Sequence, residues 1–277
     1  MKSKTRIHYA NRLEPVLQWL ASHPDAAPEL YHLADLACLS PYHFHRVYRA
    51  LMGETVNATM LRLRMHQASV DLAGARSMQQ VAQRAGYTSQ AAFNRAFGAV
   101  FGMPPGRYRH ARSRPFNPQE LGMYPTTIES FAGASLVTLA HSGDYQQIGM
   151  TFDRLFLLAS SRELIGPATR SFGVYYDDPD QVPVDQLRAR AGVTLPDERD
   201  VDTAVFEPFS LPATPCAVLE YIGPYSEIEA AYHWLFSEWL PASGYETRDF
   251  PMWEEYVNDP KVTPAAELKT RIYLPLV

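Results

Sequence analysis

Val81–Arg109 reads VAQRAGYTSQAAFNRAFGAVFGMPPGRYR. With the preceding SMQQ it divides into a helix (SMQQVAQRAGY), a short turn and a second helix (TSQAAFNRAFGAVFG). In the second helix Phe93, Phe97, Val100 and Phe101 fall on the 3.6-residue period of one buried stripe. Thr88 or Ser89 can cap its start and Gly102 its end. The same unit stands once more upstream. Phe44-His45-Arg46-Val47-Tyr48 recurs as Phe93-Asn94-Arg95-Ala96-Phe97, and Gly53 as Gly102, at one offset of 49. Leu33-Ala34 and Ala37 match Val81-Ala82 and Ala85 at an offset of 48, so the second copy has one extra residue in its turn. The first copy is LYHLADLACL followed by SPYHFHRVYRALMG, with Ser40 as N-cap, Pro41 at the first helical position and Phe44, Val47, Tyr48 and Leu51 as its stripe. Between the copies, TVNATMLRLRMHQASVDLA carries Met60, Leu63, Gln67 and Val70 at helical spacing. A helix of about 19 residues is roughly 28 Å long, enough to set two second helices in successive turns of a DNA face roughly 34 Å apart. The N-terminal part is expected to be all-α, two helix-turn-helix units joined by a long helix.

Phe44, Tyr48, Phe93 and Phe97 belong to the core of these units. Tyr42, His45, Arg46 and Arg49 in the first copy, and Gln90, Asn94 and Arg95 in the second, project from the opposite or flanking faces. Arginine forks match guanine O6/N7, and glutamine or asparagine matches adenine N6/N7. The N-terminal part of a helix-turn-helix second helix lies nearest the bases. For Arg46 and Arg95 the alternative is a solvated arginine. Arg62, Arg64, Arg76, Arg107 and Arg109 are candidates for phosphate contact, none of them specific. His43-x-His45 has no Cys, Asp or Glu nearby to complete a metal set, so no metal or cofactor is expected.

Charge supports a polyanion partner only when the chain is divided. The whole carries a formal net charge of -5. Residues 1–114 hold 15 Lys+Arg against 6 Asp+Glu, a balance of +9, and the remainder hold 10 against 24, a balance of -14. A basic module joined to an acidic one predicts double-stranded DNA as partner of the first. The 277 residues, 46% hydrophobic and 20% charged, suit a globular chain of one large or two ordinary domains and exclude a disordered or collagen-like one. Apolar runs stop well short of 18 residues, and the charged beginning MKSKTRIHYANRLEPVLQWL has no signal-peptide core, so a cytoplasmic protein with no membrane association is expected. Cys38 and Cys216 form no zinc or CxxC spacing, which fits a reducing compartment.

Ala82, Gly86, Tyr87, Ser89, Phe93, Arg95, Phe97, Gly102, Pro105, Tyr108 and Arg109 fall on the pattern A-x-x-x-G-[FY]-x-[SD]-x-x-x-F-x-R-x-F-x-x-x-x-G-x-x-P-x-x-[YF]-R. In this the chain resembles the AraC/XylS transcription regulators over residues from about 6 to 112. The resemblance implies two helix-turn-helix units that bind DNA and recruit or exclude RNA polymerase. It places base-reading positions at Tyr42, His45 and Arg46, and at Gln90, Ala91, Asn94 and Arg95. Two departures stand out: Cys38 where the first turn usually has glycine, expected to alter that turn, and Ala91 with Ala92, which offer only methyl contacts.

The acidic half is also duplicated. Gly143/Gly223, Tyr145/Tyr225, Ile148/Ile228, Phe152/Tyr232, Leu155/Leu235 and Phe156/Phe236 stand 80 apart; Tyr175 and Asp178-Pro179 match Tyr256 and Asp259-Pro260 at 81. A strand (134–141 and 214–222), a helix (145–161 and 225–240) and later strands thus occur twice. This predicts an α+β domain of two pseudo-two-fold-related strand-helix-strand repeats with a cleft between them. Glu254 stands where the first copy has Gly173. Strand alternation sets Glu254 and Tyr256 on one face and Trp253, Glu255 and Val257 on the other. Trp234, Trp239 and Tyr175 join them as candidate pocket walls. A carboxylate among aromatic rings suits a lipophilic cation, through charge pairing and cation–π attraction, unless Glu254 is a surface group and the aromatics are core.

The pattern [FW]-E-x-Y-x-N-D-P is met by Trp253, Glu254, Tyr256, Asn258, Asp259 and Pro260. Residues from about 125 to 277 thereby resemble the GyrI-like small-molecule-binding domains of AraC-type and MerR-type regulators, and the domain order resembles the Rob-like branch. The resemblance implies that Glu254 faces the ligand; related domains bind drugs or protein partners, and a few are hydrolases. The expected organisation is a DNA-binding domain at 1–114, a linker at 115–124 and an effector-binding domain at 125–277. The expected function is sequence-specific regulation of transcription under a small lipophilic or cationic effector, without enzymatic activity. The alternatives are a hydrolase using Glu254, for which no GxSxG, HExxH or P-loop is present, and a domain that binds a protein rather than a ligand.

Overall fold

A computed structural model describes residues 3–23, 26, 29–112, 124–195 and 201–277. Residues 115–123 of the expected linker lie outside the described residues. The chain forms two compact units, Met1–Arg109 with Gly149–Gly166, and His110–Ile148 with Pro167–Val277. Among the described residues no helix is long and apolar enough to cross a membrane.

The first unit is helical: α1 (Ser3–Ser22), α2 (Leu30–Leu36), α3 (Pro41–Met52), α4 (Val56–Asp71), α5 (Met78–Arg84), α6 (Gln90–Phe101) and α7 (Pro105–Arg112). Local chemistry fixes most of the ends. The Ser40 hydroxyl accepts the His43 amide at 3.4 Å, Thr55 accepts Ala58 at 3.2 Å, and Ser89, rather than Thr88, accepts Ala92 at 3.2 Å. Ser77 and Gln80 form a reciprocal capping box. α3 and α6 both close on left-handed glycines, Gly53 and Gly102. The apolar stripes point inward as their spacing demands. Phe44 and Tyr48 pack with Leu13, Val16 and Leu17 of α1 and Leu33 of α2, while Val47 and Leu51 lie at the margin of that core. Phe93, Phe97 and Phe101 form a ladder of rings with centroids 5.6 and 4.3 Å apart, closed by Tyr108 of α7.

The two helix-turn-helix turns share one geometry despite their different lengths. Cys38 donates to the Asp35 carbonyl and Leu39 to that of Ala34; Gly86 donates to Gln83 and Tyr87 to Ala82, all at 2.9 Å. Cys38 therefore does not alter the turn, contrary to expectation. It occupies the left-handed region, φ +52°, as Gly86 does at φ +82°. Left-handed backbone costs a residue with a Cβ roughly 1–2 kcal/mol, part of which glycine returns through its freer unfolded chain. Cys38→Gly is accordingly expected to stabilise the protein by about 0.5–1 kcal/mol, read as a higher urea midpoint at unchanged slope; a lower midpoint would contradict the turn assignment. Gly86 is needed for a second reason, since a Cβ there would stand 2.9 Å from the Arg64 guanidinium.

Chain residues 149–166 complete this unit, mostly as α8 (Ile148–Ser161). Met150 and Leu157 enter the same core as Phe44 and Tyr48. Beside them lies a largely buried ionic chain. Arg62 donates to Glu54 at 2.7 Å and to Asp153 at 2.8 Å, Thr59 donates to Glu54 at 2.8 Å, and Tyr48 donates to Thr59 at 2.9 Å. Burial alone would lower the Arg62 pKa, but the Asp153 and Glu54 carboxylates outweigh it and hold the guanidinium firmly charged.

The second unit is a closed antiparallel barrel of six strands, β1 (Thr126–Ser142), β2 (Ser171–Tyr175), β3 (Arg188–Thr194), β4 (Glu207–Ile222), β5 (Met252–Tyr256) and β6 (Lys269–Pro275), in the order β1-β3-β2-β5-β6-β4. Phe131, Phe172, Val174, Cys216, Val218, Trp253 and Tyr273 form one cluster drawn from five strands, which places it on the inward face. Ala217, Leu219, Ile272 and Leu274 point the other way and pack under Ala231, Trp234 and Leu235. That cover is α9 (Glu229–Trp234), a π-helical stretch (Leu235–Trp239) and α10 (Leu240–Ser243). β1 and β4 are far longer than the expected 134–141 and 214–222. They pair from Thr126↔Leu219 to Thr138↔Glu207, and Gly133, φ +85°, lies across from Pro212, where no amide hydrogen is available to bond. The expected helices at 145–161 and 225–240 each begin with a separate 3₁₀ turn, Tyr145–Gln147 and Tyr225–Glu227.

Candidate functional sites

α3 and α6, each N-capped by serine and rigid through its aromatic stripe, carry the expected reading residues. Tyr42 is 72% exposed, and Arg46 and Arg49 are exposed beside it. Arg46 donates to the Tyr42 hydroxyl at 2.6 Å with its guanidinium 5.5 Å from the ring centre, so its fork is partly engaged within the helix. On α6, Gln90, Ala91 and Arg95 are exposed. Among the described residues Arg95 and Arg49 make no ion pair or hydrogen bond and keep their forks free. His45 and Asn94, equivalent in the repeat, are both half-buried; the Asn94 Oδ1 is shielded and without a partner among the described residues.

Most arginines taken as phosphate contacts are otherwise engaged. Arg62 is held by Glu54 and Asp153; Arg64 donates to the Ala26 carbonyl at 2.9 Å; Arg76 pairs with buried Asp71 at 2.9 Å, as does Arg84 at 3.1 Å. Arg109 donates to the carbonyls of Leu72 and Arg76 at 3.3 and 2.7 Å. Arg107 and Arg76 are exposed, Arg76 despite its ion pair, and Arg62, Arg64 and Arg109 are half-buried. The formal +9 thus overstates the charge this part offers to a polyanion.

In the barrel, β5 places two adjacent carboxylates on opposite faces. Glu255 turns inward and receives Arg170 at 2.6 and 2.7 Å and the Tyr273 hydroxyl at 2.8 Å. Burial would raise its pKa, but these hydrogen bonds, with the charges of Arg170 and Arg271, hold it below the ordinary carboxylate value. Glu254 turns outward, is 4% exposed, and accepts the Tyr232 hydroxyl at 2.7 Å. No cation faces it. Burial pushes its pKa up, opposed by hydrogen bonds from Tyr232, Tyr256 and Tyr175.

Around Glu254 the tyrosines form paired edges. The Tyr175 and Tyr256 hydroxyls share a 2.5 Å hydrogen bond. Tyr145 stands edge-on to Tyr175 with centroids 4.9 Å apart, and Tyr225 edge-on to Tyr256 at 5.3 Å. Tyr145 is anchored by its hydroxyl, which donates to the Arg188 carbonyl at 2.9 Å. Gly173 pairs directly with Glu254 across the β2–β5 ladder. A Cβ at 173 would lie 2.9 Å from the Tyr175 ring and from the Tyr256 hydroxyl, so the tyrosine pair leaves room for hydrogen only. Trp234 is buried with its ring against Tyr124 at 5.7 Å, and Trp239 stacks on Tyr245 at 6.2 Å. The hydrogen-bonded cluster therefore brings together Glu254, Tyr256 and Tyr175 of the expected set. It adds Tyr232, whose signal in the sequence is a hydroxyl gained over Phe152 of the first copy. Among the described residues no group of three or more His, Cys, Asp or Glu could hold a metal ion.

A family model described as a helix-turn-helix domain matches residues 33–111, and one described as the GyrI-like small molecule binding domain matches residues 124–277. The transcriptional regulator YbfP of Bacillus subtilis, itself uncharacterised, is 29% identical over 105 residues, 37% of this chain and 35% of that protein. The DNA gyrase inhibitor of Erwinia billingiae is 26% identical over 129 residues, 45% of this chain and 79% of that protein. Matches to regulators such as YbfP span about a third of those proteins' length. A crystal structure of the EcmrR C-terminal domain superposes with a TM-score of 0.46 at 16% identity, covering 56% of this chain and 99% of that one. With a match over more than half its residues, the chain belongs to the GyrI-like family and joins that domain to an AraC-type helix-turn-helix domain.

Proposed function

We propose that the chain is a DNA-binding transcription regulator whose GyrI-like domain senses a small lipophilic cation. One observation carries the reading: a pair of capped, repeated second helices with exposed arginines occurs in the same chain as a buried, uncompensated carboxylate ringed by tyrosines. Arg46, Arg49 and Tyr42 on α3, with Gln90, Ala91 and Arg95 on α6, contact DNA; His45 and Asn94 flank them. RNA polymerase is the second macromolecular partner. Residues 1–114 and 125–277 act as the DNA-binding and sensing modules.

The effector site is Glu254 with Tyr256, Tyr175 and Tyr232, and Trp234 and Trp239 line its approach. Its walls are two halves related by a pseudo-two-fold axis through the Gly173–Glu254 pair. Support comes from the register, in which Phe172 faces Glu255 and Ser171 faces Tyr256 about that centre. The strand order β1-β3-β2-β5-β6-β4 also reads the same after exchange of the two halves. At an axis only one of two equivalent side chains fits, which accounts for glycine opposite glutamate.

Sensing is favoured over catalysis by the state of the hydroxyls. Burial pushes Tyr175, Tyr232 and Tyr256 well above the ordinary phenol range, with the Glu254 charge adding to the effect, so none approaches a nucleophilic phenolate. A bound electrophile recovered unchanged after prolonged incubation is expected; its turnover, lost in Glu254→Gln, would favour a hydrolase.

The DNA reading is tested by fluorescence anisotropy on genomic fragments. Arg95→Ala is expected to weaken specific binding by about 1–3 kcal/mol, roughly five- to 150-fold, and binding should weaken steeply with salt. Unchanged specific affinity, or a salt slope near zero, would remove α6 from the reading role.

A further inference from the structure

One polar side chain on the outward face of the barrel is buried without a partner among the described residues. Thr270 of β6 is 1% exposed, and its Oγ1 is buried without a hydrogen-bond partner among the described residues. It stands directly across from Tyr256 in the β5–β6 ladder, two residues from Ile272, which stands across from Glu254. Opposed residues of an antiparallel pair share a face with Cβ atoms about 5 Å apart, so Thr270 lies on the face of Glu254 and Tyr256. A buried hydroxyl left unpaired costs about 1–3 kcal/mol, so such groups in native proteins call for an explanation. The equivalent position in the first half is Ala189, directly across from Tyr175. The halves therefore differ in one direction: the second carries Glu254, Tyr232 and Thr270 where the first has Gly173, Phe152 and Ala189.

We propose that Thr270 is a second polar anchor of the effector site, hydrogen-bonding a hydroxyl, ether or amide carried close to the cationic centre of the effector. The inference rests on Glu254 being the cation-binding carboxylate. It narrows the effector class from any lipophilic cation to one that is polar on the side facing the second half. Tyr256 stands on the same strand as Glu254 and opposite Thr270, so charge and hydrogen-bonding group must be within a few bonds of each other.

The test is calorimetric titration of the full chain with two matched cations, benzyldodecyldimethylammonium and benzyldodecyl(2-hydroxyethyl)methylammonium, below their micellar concentrations. Wild type is expected to prefer the hydroxyl-bearing cation by about fivefold, the factor given by one neutral hydrogen bond. Thr270→Val should bring that ratio to one with the affinity for the hydroxyl-free cation unchanged, and Thr270→Ser should keep the preference. Thr270→Val should also raise the melting temperature of the ligand-free protein, because it removes an unpaired hydroxyl; a hydroxyl with a structural role would lower it. If both cations bind through Glu254 and the ratio in Thr270→Val equals that in wild type, the Thr270 assignment is overturned by itself. If neither cation binds, or Glu254→Gln leaves binding intact, the carboxylate reading falls and Thr270 with it.

Discussion

Glu254→Gln is expected to weaken binding of a lipophilic cation at least about thirtyfold, the equivalent of about 2 kcal/mol for removing one partner of a buried charge pair. The same substitution should make the ligand-free protein more stable near neutral pH. Both follow from one carboxyl. Burial raises its folded-state pKa above the ordinary 4.5, so the folded protein holds this proton more tightly than the unfolded chain. A group raised in this way contributes its full stability below the unfolded value, and that contribution is lost as pH rises through the folded value. Glutamine preserves the acceptor for the Tyr232 hydroxyl and cannot ionise, so it escapes the loss. Melting of both proteins at pH 5 and pH 8 should show the variant's advantage growing with pH. Cation affinity in wild type should move the opposite way to stability, strengthening as pH rises above the ordinary carboxylate range and the carboxylate forms. Stability equal in the two proteins at both pH values would mean that Glu254 is solvated.

Asp153→Ala is expected to cost about 3 kcal/mol of folding stability, near the lower end for breaking a buried pair because Glu54 still holds Arg62. The Asp153 side chain is 5% exposed, so its removal strands the guanidinium on that side without access for water to replace a 2.8 Å partner. Asp153→Asn keeps the volume and one acceptor and should cost about half as much. Urea unfolding monitored by circular dichroism reads both. A change below about 0.5 kcal/mol would mean that Arg62 is solvated, as the phosphate-contact reading requires.

The contrast between Arg62 and Arg95 marks what was legible in the chain. The helix-turn-helix units could be read because their determinants are local: Ser40 and Ser89 cap, Gly53 and Gly102 terminate, and two aromatic stripes repeat at one offset. Which arginines face solvent was not legible, because the partners are remote. Asp153 lies 91 residues from Arg62, and Ala26 lies 38 from Arg64. α1 is obscured by Pro15 within it, and the first half of β1 by Gly133 and by Pro208, Pro212 and Pro215 on its partner strand, which read as turn signals until the two strands are paired. Around Glu254, the offset of 81 set Glu254 against Gly173 in the sequence, and the β2–β5 register makes the two direct neighbours. Thr270 had no role assigned to it from the sequence and could be singled out only once β6 was in register with β5.

The central claim is that one chain joins DNA reading to cation sensing through Glu254. It is tested most directly by run-off transcription with purified RNA polymerase from a promoter that the full chain selects out of genomic fragments, with and without saturating benzyldodecyldimethylammonium. Transcript from the wild-type reaction is expected to change several-fold on addition of the cation, and transcript from the Glu254→Gln reaction to stay constant. Equal transcript with and without cation in the wild type, or an equal response in Glu254→Gln, would contradict it.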